Sequence, residues 1–180
     1  VFKIAHPAVP DGDDCDNGVY SGMVSGSTLG VGNAITRGEV MQMIYNAFNL
    51  KNQVSSVTSN FTDVPSTHPY YTAINAGYVL GIAQGVGNGQ FNPDALITRQ
   101  DACTLLYRVF STLGLSMSTG TASDLNSFGD GASVASYAVD GVAGMVKSGI
   151  IVGDQNGNFN PVANLTRGEA SIILHRAMTL

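Results

Sequence analysis

A five-residue sequence that occurs three times is the feature that most constrains this chain. The copies are Ile35-Thr36-Arg37-Gly38-Glu39, Ile97-Thr98-Arg99-Gln100-Asp101 and Leu165-Thr166-Arg167-Gly168-Glu169. Counted between their arginines, they lie 62 and 68 residues apart. That separation is too long for a short solenoid repeat and is typical of a small helix-loop-helix unit used three times.

Each copy has the side chains of a helix start. A threonine at the N-cap accepts a hydrogen bond from a backbone N–H, and an acidic residue three positions later reaches back to the N–H of the cap. The sequence therefore predicts helices that begin near Thr36, Thr98 and Thr166.

An apolar stripe follows each start at the same offsets, which is the helical period. Its members are Val40, Met43, Ile44, Ala47 and Phe48, then Ala102, Leu105, Leu106, Val109 and Phe110, then Ala170, Ile173, Leu174, Ala177 and Met178. Three equivalent helices bury such stripes most simply against one another. We therefore predict an all-α fold, a pseudo-threefold trimer of helix-loop-helix units around a central three-helix bundle.

A second shared pattern precedes the second and third helices at equal distances. It comprises Gly81, Gly85, Gly89, Phe91 and Pro93, and again Gly149, Gly153, Gly157, Phe159 and Pro161. The first glycine of each set suits the positive φ after a helix end, and each Phe is expected to plug the core beneath the loop. Short helices are predicted before the glycines, over Tyr71 to Leu80 and Val134 to Ser148.

The order of these motifs resembles the S-layer homology family: Phe-x-Asp-Val-Pro, a short helix, Gly-Ile-x-x-Gly, Gly-x-Phe-x-Pro and Ile-Thr-Arg-x-Glu. Residues 61–111 and 128–180 match over their length, and residues 1–50 match only from about Leu29 onward. Such modules usually come as three units, so the resemblance implies a diverged first unit at 1–50, a second at 61–111 and a third at 128–180. The segments 51–60 and 112–127, rich in Ser, Thr, Asn and Gly, are predicted linkers.

The repeated arginine is the main candidate for function. A guanidinium beside a helix N-terminus with free backbone N–H groups forms a site for a carboxylate or phosphate. The residues alone leave a structural role equally open, in which each arginine pairs with an acid such as Asp63 or Asp130. The family resemblance favours binding, because it implies that the equivalent arginines lie in grooves between units and hold an anionic, typically pyruvylated, wall sugar. The candidates are Arg37, Arg99 and Arg167.

The family also places an aromatic residue, usually Trp, near the start of the short helix, and this chain has no Trp. Tyr137 has that position in the third unit, while Pro69 has it in the second, with Tyr70 and Tyr71 adjacent. Tyr137 and Tyr71 are therefore candidate sugar contacts, although a partly buried core tyrosine is the alternative. The loop glycines Gly85, Gly89, Gly153 and Gly157 are further candidates, since they could let a ligand approach the backbone, or they serve turn geometry alone.

Other kinds of site find little support. The net charge is −5 and the 8 Lys and Arg residues are spread out, which disfavours nucleic acid and anionic membranes. Asp154 to Asn160 lacks the spacing of an EF-hand, and the acidic run Asp11 to Asp16 is better explained as a solvated turn than as a cation site. The histidines, at 6, 68 and 175, suggest no triad or zinc site, and we predict no cofactor. Cys15 and Cys103 could form a disulfide or remain two thiols.

The sequence thus predicts a non-catalytic module that anchors a secreted protein at the bacterial cell wall or S-layer by binding an anionic wall polysaccharide. The alternative is a structural or protein-interaction module that keeps the scaffold and has lost wall binding. The missing initiator Met and signal layout indicate a domain cut from something longer. Because the third unit is the most complete, we expect one or two working grooves rather than three.

Overall fold

The structure, a computed structural model, describes residues 30–58 and 60–180. Within these two ranges the regular structure is helical, with isolated β-bridges and no β-strand. The α-helices are α1 (Arg37–Ala47), α2 (Tyr71–Val79), α3 (Arg99–Leu113), α4 (Val139–Lys147) and α5 (Arg167–Met178). Short 3₁₀ helices cover Leu50–Gln53, Ala122–Ser127, Gly131–Ser133 and Ser136–Ala138. The predicted all-α class is confirmed.

The three predicted helix starts are confirmed, with Thr36, Thr98 and Thr166 as the N-caps of α1, α3 and α5. In α1 and α5 the glutamate three residues on completes a capping box. In α3 the N–H of Asp101 donates to Thr98, but the shorter Asp101 side chain accepts from a tyrosine of the third unit instead.

The apolar stripes form the core, as predicted. All fifteen stripe residues are buried except Ala47 and Met178, which are half-buried. Phe91 and Phe159 are fully buried beneath their loops, which confirms their predicted place. At about 25 cal/mol per Å² of apolar surface, this burial is the main source of stability.

Backbone hydrogen bonds join the three copies in a closed ring just before α1, α3 and α5. The N–H of Ile35 donates to the carbonyl of Leu165 (2.9 Å), that of Leu165 to Ile97 (2.9 Å), and that of Ile97 to Ile35 (3.1 Å). All three side chains are buried, and α1 contacts both α3 and α5. The ring has the cyclic order that a threefold repeat produces. The trimer of three whole units around a central bundle stays a prediction, since residues 1–29 lie outside the described ranges.

The short helices agree with prediction in part. α2 ends one residue before Leu80, and Gly81 follows at φ +75°. The segment from Val134 was expected to be continuous α-helix, but α4 begins only at Val139. A 3₁₀ turn precedes it, because the N–H of Ala135 donates to the side chain of Gln100 on α3 and holds the backbone away from helical geometry. Gly149 then ends α4 at φ +73°, as expected.

The segment 112–127, expected as a linker, packs closely on the third unit. α3 continues into it as far as Leu113, and Leu125 is buried in the 3₁₀ helix that ends it. Gly120 lies so near α4 that a Cβ there would stand 2.1 Å from the carbonyl carbon of Ala143. The segment therefore has a packing role of its own, besides its connecting one.

Candidate functional site

The three repeated arginines each occupy the first helical position after their cap. The Nε of Arg37 donates to the carbonyl of Phe91 at 2.9 Å, and that of Arg99 to the carbonyl of Phe159 at 2.8 Å. Each guanidinium also lies over the ring of the same phenylalanine, at 4.8 and 5.4 Å from the centroid. Each of these arginines thus packs on the loop of the following unit, where a cation over an aromatic face is favourable.

The same arginines form ion pairs in a cycle, each with the acidic residue at the third helical position of the next copy. The pairs are Arg37 with Asp101 at 3.9 Å, Arg99 with Glu169 at 2.8 Å, and Arg167 with Glu39. Glu39 and Glu169 therefore have two partners, the backbone of their own N-cap and the arginine of another copy. We call these six residues the arginine ring.

Asp63 and Asp130, named above as possible partners of the arginines, bind loop backbone instead. Asp63 accepts from the N–H groups of Phe91 and Asn92, and Asp130 does the same for Phe159 and Asn160. Each arginine is thus paired with an acid, as the structural alternative expected, but the acids are Asp101, Glu169 and Glu39. Sequence reasoning missed them because it had already assigned the capping acids to their own helices.

The first amides of the three helices are not open to a ligand, contrary to expectation. Those of Arg37, Arg99 and Arg167 donate to the carbonyls of Ala95, Ala163 and Asn33 at 2.9 to 3.0 Å. The next amide in each helix donates to a carbonyl two residues earlier in the same loop. These bonds satisfy the donors that a helix start leaves unpaired, so an anion held here must rely on side chains.

Tyr137 lies on the start of α3 and is 58% exposed. Its hydroxyl donates to Asp101 at 2.7 Å and accepts from the side-chain amide of Gln100 at 3.2 Å. Partial burial, and then the hydrogen bond and negative charge of Asp101, raise the pKa of Tyr137 to about 12. The predicted aromatic is therefore on the surface between the second and third units, with its tip fixed.

In the second unit Tyr70, rather than the predicted Tyr71, lies close to the arginine ring. Tyr71 is half-buried in the first turn of α2, where its carbonyl accepts from Asn75. Tyr70 lies against α1, so close that a Cβ on Gly38 would stand 2.6 Å from its Cδ2. Burial, and then the charge of Glu39, raise the pKa of Tyr70. Tyr137 follows Phe128 by nine residues, and Tyr70 follows Phe61 by the same number. Counting forward from the Phe-x-Asp motif, instead of back from Gly81, would therefore have indicated Tyr70.

The loop glycines have separate structural causes. Gly85, Gly89 and Gly157 have φ between +70° and +77°, which favours glycine. Gly153 lacks a positive φ, but a Cβ there would stand 2.9 Å from the ring of Phe128. Of the four, Gly153 also lines a cavity.

That cavity measures about 300 Å³ and lies beside Arg99. Its charged lining residues are Arg99, Arg176, Asp154 and Glu169, and its large exposed apolar ones are Val152 and Ile172. The side chain of Arg99 is 13% exposed and that of Glu169 43%. A surface with both charge and apolar area can hold an amphipathic ligand such as a sugar acid.

The loop that begins at Asp154 is closed by its own hydrogen bonds. The carboxylate accepts from the N–H groups of Asn156 and Asn158 and from the side chain of Asn160, at 2.8 to 2.9 Å. These bonds, led by that of Asn158, lower the pKa of Asp154. Across the described ranges no group of three or more His, Cys, Asp or Glu side chains is placed to hold a metal.

The cysteines, the histidines and the acidic run 11–16 remain to be placed, and some of them lie outside the described residues. Cys103 is fully buried in α3, and burial raises the pKa of its thiol to about 12. His68 lies 3.5 Å from Asp94, and His175 is on α5. Cys15, His6 and the acidic run 11–16 lie outside the described ranges.

Comparison with known proteins assigns the repeated units to a family. The S-layer homology domain matches residues 60–103 and 127–171. These two segments belong to the S-layer homology family. The first copy lies outside both matches, yet its α1 has the cap, arginine and ion pair of the other two.

Several named proteins are similar in sequence to most of this chain. An amylopullulanase of Thermoanaerobacterium thermosulfurigenes is 33% identical over 141 residues, which is 78% of this chain and 7% of that protein. An exoglucanase of Acetivibrio thermocellus is 31% identical over 78% of the chain and 12% of its own length. A cell surface protein of Thermoanaerobacter kivui is 30% identical over 68% of the chain and 16% of its own length. The chain thus spans under a sixth of the first two relatives.

The S-layer homology domains and the surface proteins among the relatives locate this chain at the cell surface and imply a role in cell-wall anchoring. In the described part of the chain, none of the helices combines the length and apolar character needed to cross a membrane.

Proposed function

We propose that this chain anchors a larger secreted protein by binding an anionic, typically pyruvylated, wall polysaccharide in the grooves between its S-layer homology units. The observation that carries the proposal is the cavity of about 300 Å³ beside Arg99. It lies where the arginine of the second unit meets the loop and helix of the third.

The lining of this cavity suits an acidic sugar in three respects. Guanidinium groups form strong, directed hydrogen bonds with carboxylates. Asn164, which also lines the cavity, offers a side-chain amide for sugar hydroxyls. The side chains of Val152 and Ile172, 55% and 47% exposed, offer an apolar surface for the C–H face of a sugar ring.

The other two ring arginines, Arg37 and Arg167, are proposed as parts of further grooves, with Tyr137 and the Tyr70-Tyr71 pair beside them. In all three grooves the arginine is ion-paired, and at Tyr137 a ligand also has to compete with the hydrogen bond to Asp101. We propose one or two working grooves, because the third unit is the most complete. Weak sites on one polymer reinforce one another, since after the first contact the next is intramolecular.

We further propose that the chain itself performs no catalysis. Two relatives bear the names of polysaccharide-degrading enzymes, and the match covers 7% and 12% of them. The acids repeated in this chain, Glu39, Asp101 and Glu169, are each paired with an arginine, and Glu39 and Glu169 also bind their helix caps. The module would supply attachment to a protein whose activity resides elsewhere.

Binding of the isolated chain to purified cell walls tests the proposal. Arg99→Lys keeps the charge but loses the forked geometry, and should weaken wall binding about fivefold or more. Arg108→Lys is the control, because Arg108 is another part-buried arginine of α3, also donates to a backbone carbonyl, and does not line this cavity. It should remain within about twofold of the unchanged chain.

Failure of the unchanged chain to sediment with walls would reject wall anchoring, and capture of a protein partner in its place would support the interaction module. Equal wall binding by the Arg99→Lys variant and the unchanged chain would reject the proposed groove.

A further inference from the structure

Arg176, in the last turn of α5, is a second arginine of the cavity that the repeat motif does not include. Its Nη1 donates to the carbonyl of Ile150 at 3.1 Å, which fixes the guanidinium at the cavity wall. Among the ion pairs of the described residues, none includes Arg176, whereas Arg99 is paired with Glu169 at 2.8 Å. Within the described ranges, Arg176 is thus the cavity arginine that forms no ion pair.

Both carboxylates of the cavity are already engaged. Glu169 binds Arg99 and accepts from the N–H of Thr166. Asp154 accepts from three groups of its own loop. Neither forms an ion pair with Arg176, so among the described residues an incoming anion would not have to displace a carboxylate from this guanidinium.

The apolar wall lies directly beside this cation. Ile172 precedes Arg176 by four residues on α5, so the two side chains lie on one face of the helix. Val152 belongs to the loop that follows Ile150, the residue to which Arg176 is bonded. The cation and two exposed apolar side chains therefore line one side of the same cavity.

We propose that Arg176, rather than the family arginine Arg99, contacts the carboxylate of the acidic sugar, while Val152 and Ile172 contact its C–H face. The inference rests on the proposed function and names the residue that determines its specificity. Arg99 then holds the wall of the groove in place through Glu169 and Phe159.

Arg108 in α3 provides an internal comparison. It has the same position in its helix as Arg176, and its Nη1 donates to the carbonyl of Ile82 at 3.3 Å, as that of Arg176 does to Ile150. Its surroundings differ, because the charge of Asp101 and the hydroxyl of Tyr137 act on Arg108, and it does not line the cavity. Substitution of either arginine should therefore affect the stability of the fold to a similar extent, whereas only substitution of Arg176 should weaken sugar binding.

The test uses polysaccharide released from purified cell walls of Thermoanaerobacterium thermosulfurigenes, native and after chemical reduction of its carboxyl groups to alcohols. Affinities are measured for the unchanged chain and for Arg176→Gln, Arg176→Lys and Arg108→Gln, with thermal unfolding as a check of folding. Arg176→Gln should bind native polysaccharide about tenfold more weakly, the value of one charge-assisted hydrogen bond. Arg108→Gln should remain within about twofold, and Arg176→Lys should lie between the two.

Carboxyl reduction separates charge recognition from a packing effect. It should weaken binding by the unchanged chain and by Arg108→Gln, and leave Arg176→Gln almost unaffected. Equal affinities of Arg176→Gln and Arg108→Gln, or a loss on reduction that persists in Arg176→Gln, would overturn the role of Arg176 and leave wall anchoring standing. An unchanged chain that binds neither polysaccharide would overturn wall anchoring itself.

Discussion

At the scale of single residues, the second position of each repeated helix decides what lies against it. In α1 this position is Gly38, and the absence of a side chain leaves room for the ring of Tyr70. In α3 it is Gln100, whose amide reaches across to the N–H of Ala135 and the hydroxyl of Tyr137. The residue at this position thus differs between the units together with the tyrosine contact, which is packing of Tyr70 on Gly38 in one and a hydrogen bond of Tyr137 to Gln100 in the other.

The pKa of Tyr137 gives a prediction at this scale. Its folded value of about 12 exceeds the ordinary 10.0, so the stabilisation it provides is present below pH 10 and is lost as the pH rises toward 12. Ultraviolet titration should therefore show a late-ionising tyrosine that Tyr137→Phe removes. Asp101→Asn should make it ionise earlier, because the carboxylate contributes to the shift after burial. A titration that is unchanged in Tyr137→Phe would contradict this assignment.

At the scale of elements, local chemistry made the helices predictable. The caps at Thr36, Thr98 and Thr166 depend on residues three apart, and the stripes depend on the helical period, so both can be read from sequence. The start of α4 was missed because Gln100, 35 residues away, bonds to the N–H of Ala135. Long-range contacts of that kind leave no local pattern.

Removal of one cap should have a moderate, measurable cost. The hydroxyl of Thr166 accepts from the N–H of Glu169 and donates to its carboxylate, so Thr166→Ala loses both bonds. The free energy of unfolding in urea should fall by about 1 kcal/mol. Thr72→Ala, at an exposed position in α2, is the control and should remain within about 0.5 kcal/mol. Equal effects would show that the cap does not stabilise α5.

At the scale of the whole molecule, the closure of the copies on one another was predictable only in outline. Three equal stripes indicate mutual burial, but no spacing reveals that Arg167 pairs with Glu39, 128 residues away. The candidate site was likewise predictable only in part. The repeated arginines were identified from sequence, while Arg176 lacks a counterpart at its place in α1, where the residue is Asn46, and so it lay outside the repeated motif.

The arginine ring contains its own matched pair for a test of closure. Glu39 and Glu169 are both capping-box residues paired with an arginine, but the side chain of Glu39 is 8% exposed and that of Glu169 43%. Glutamine keeps the hydrogen-bonding shape and removes the charge. Glu39→Gln should therefore lower the free energy of unfolding by about 3 kcal/mol, because it removes the charge of a mostly buried ion pair.

Glu169→Gln should cost only about 0.5–1 kcal/mol, because water screens that pair more strongly. Denaturant unfolding of both variants would measure the difference. Since the buried ring of Ile35, Ile97 and Leu165 ties the three copies together, Glu39→Gln should shift one common transition to lower denaturant. Two unfolding transitions, of which Glu39→Gln shifts only one, would show that the copies unfold independently. Ile35, Ile97 and Leu165 would then not couple them.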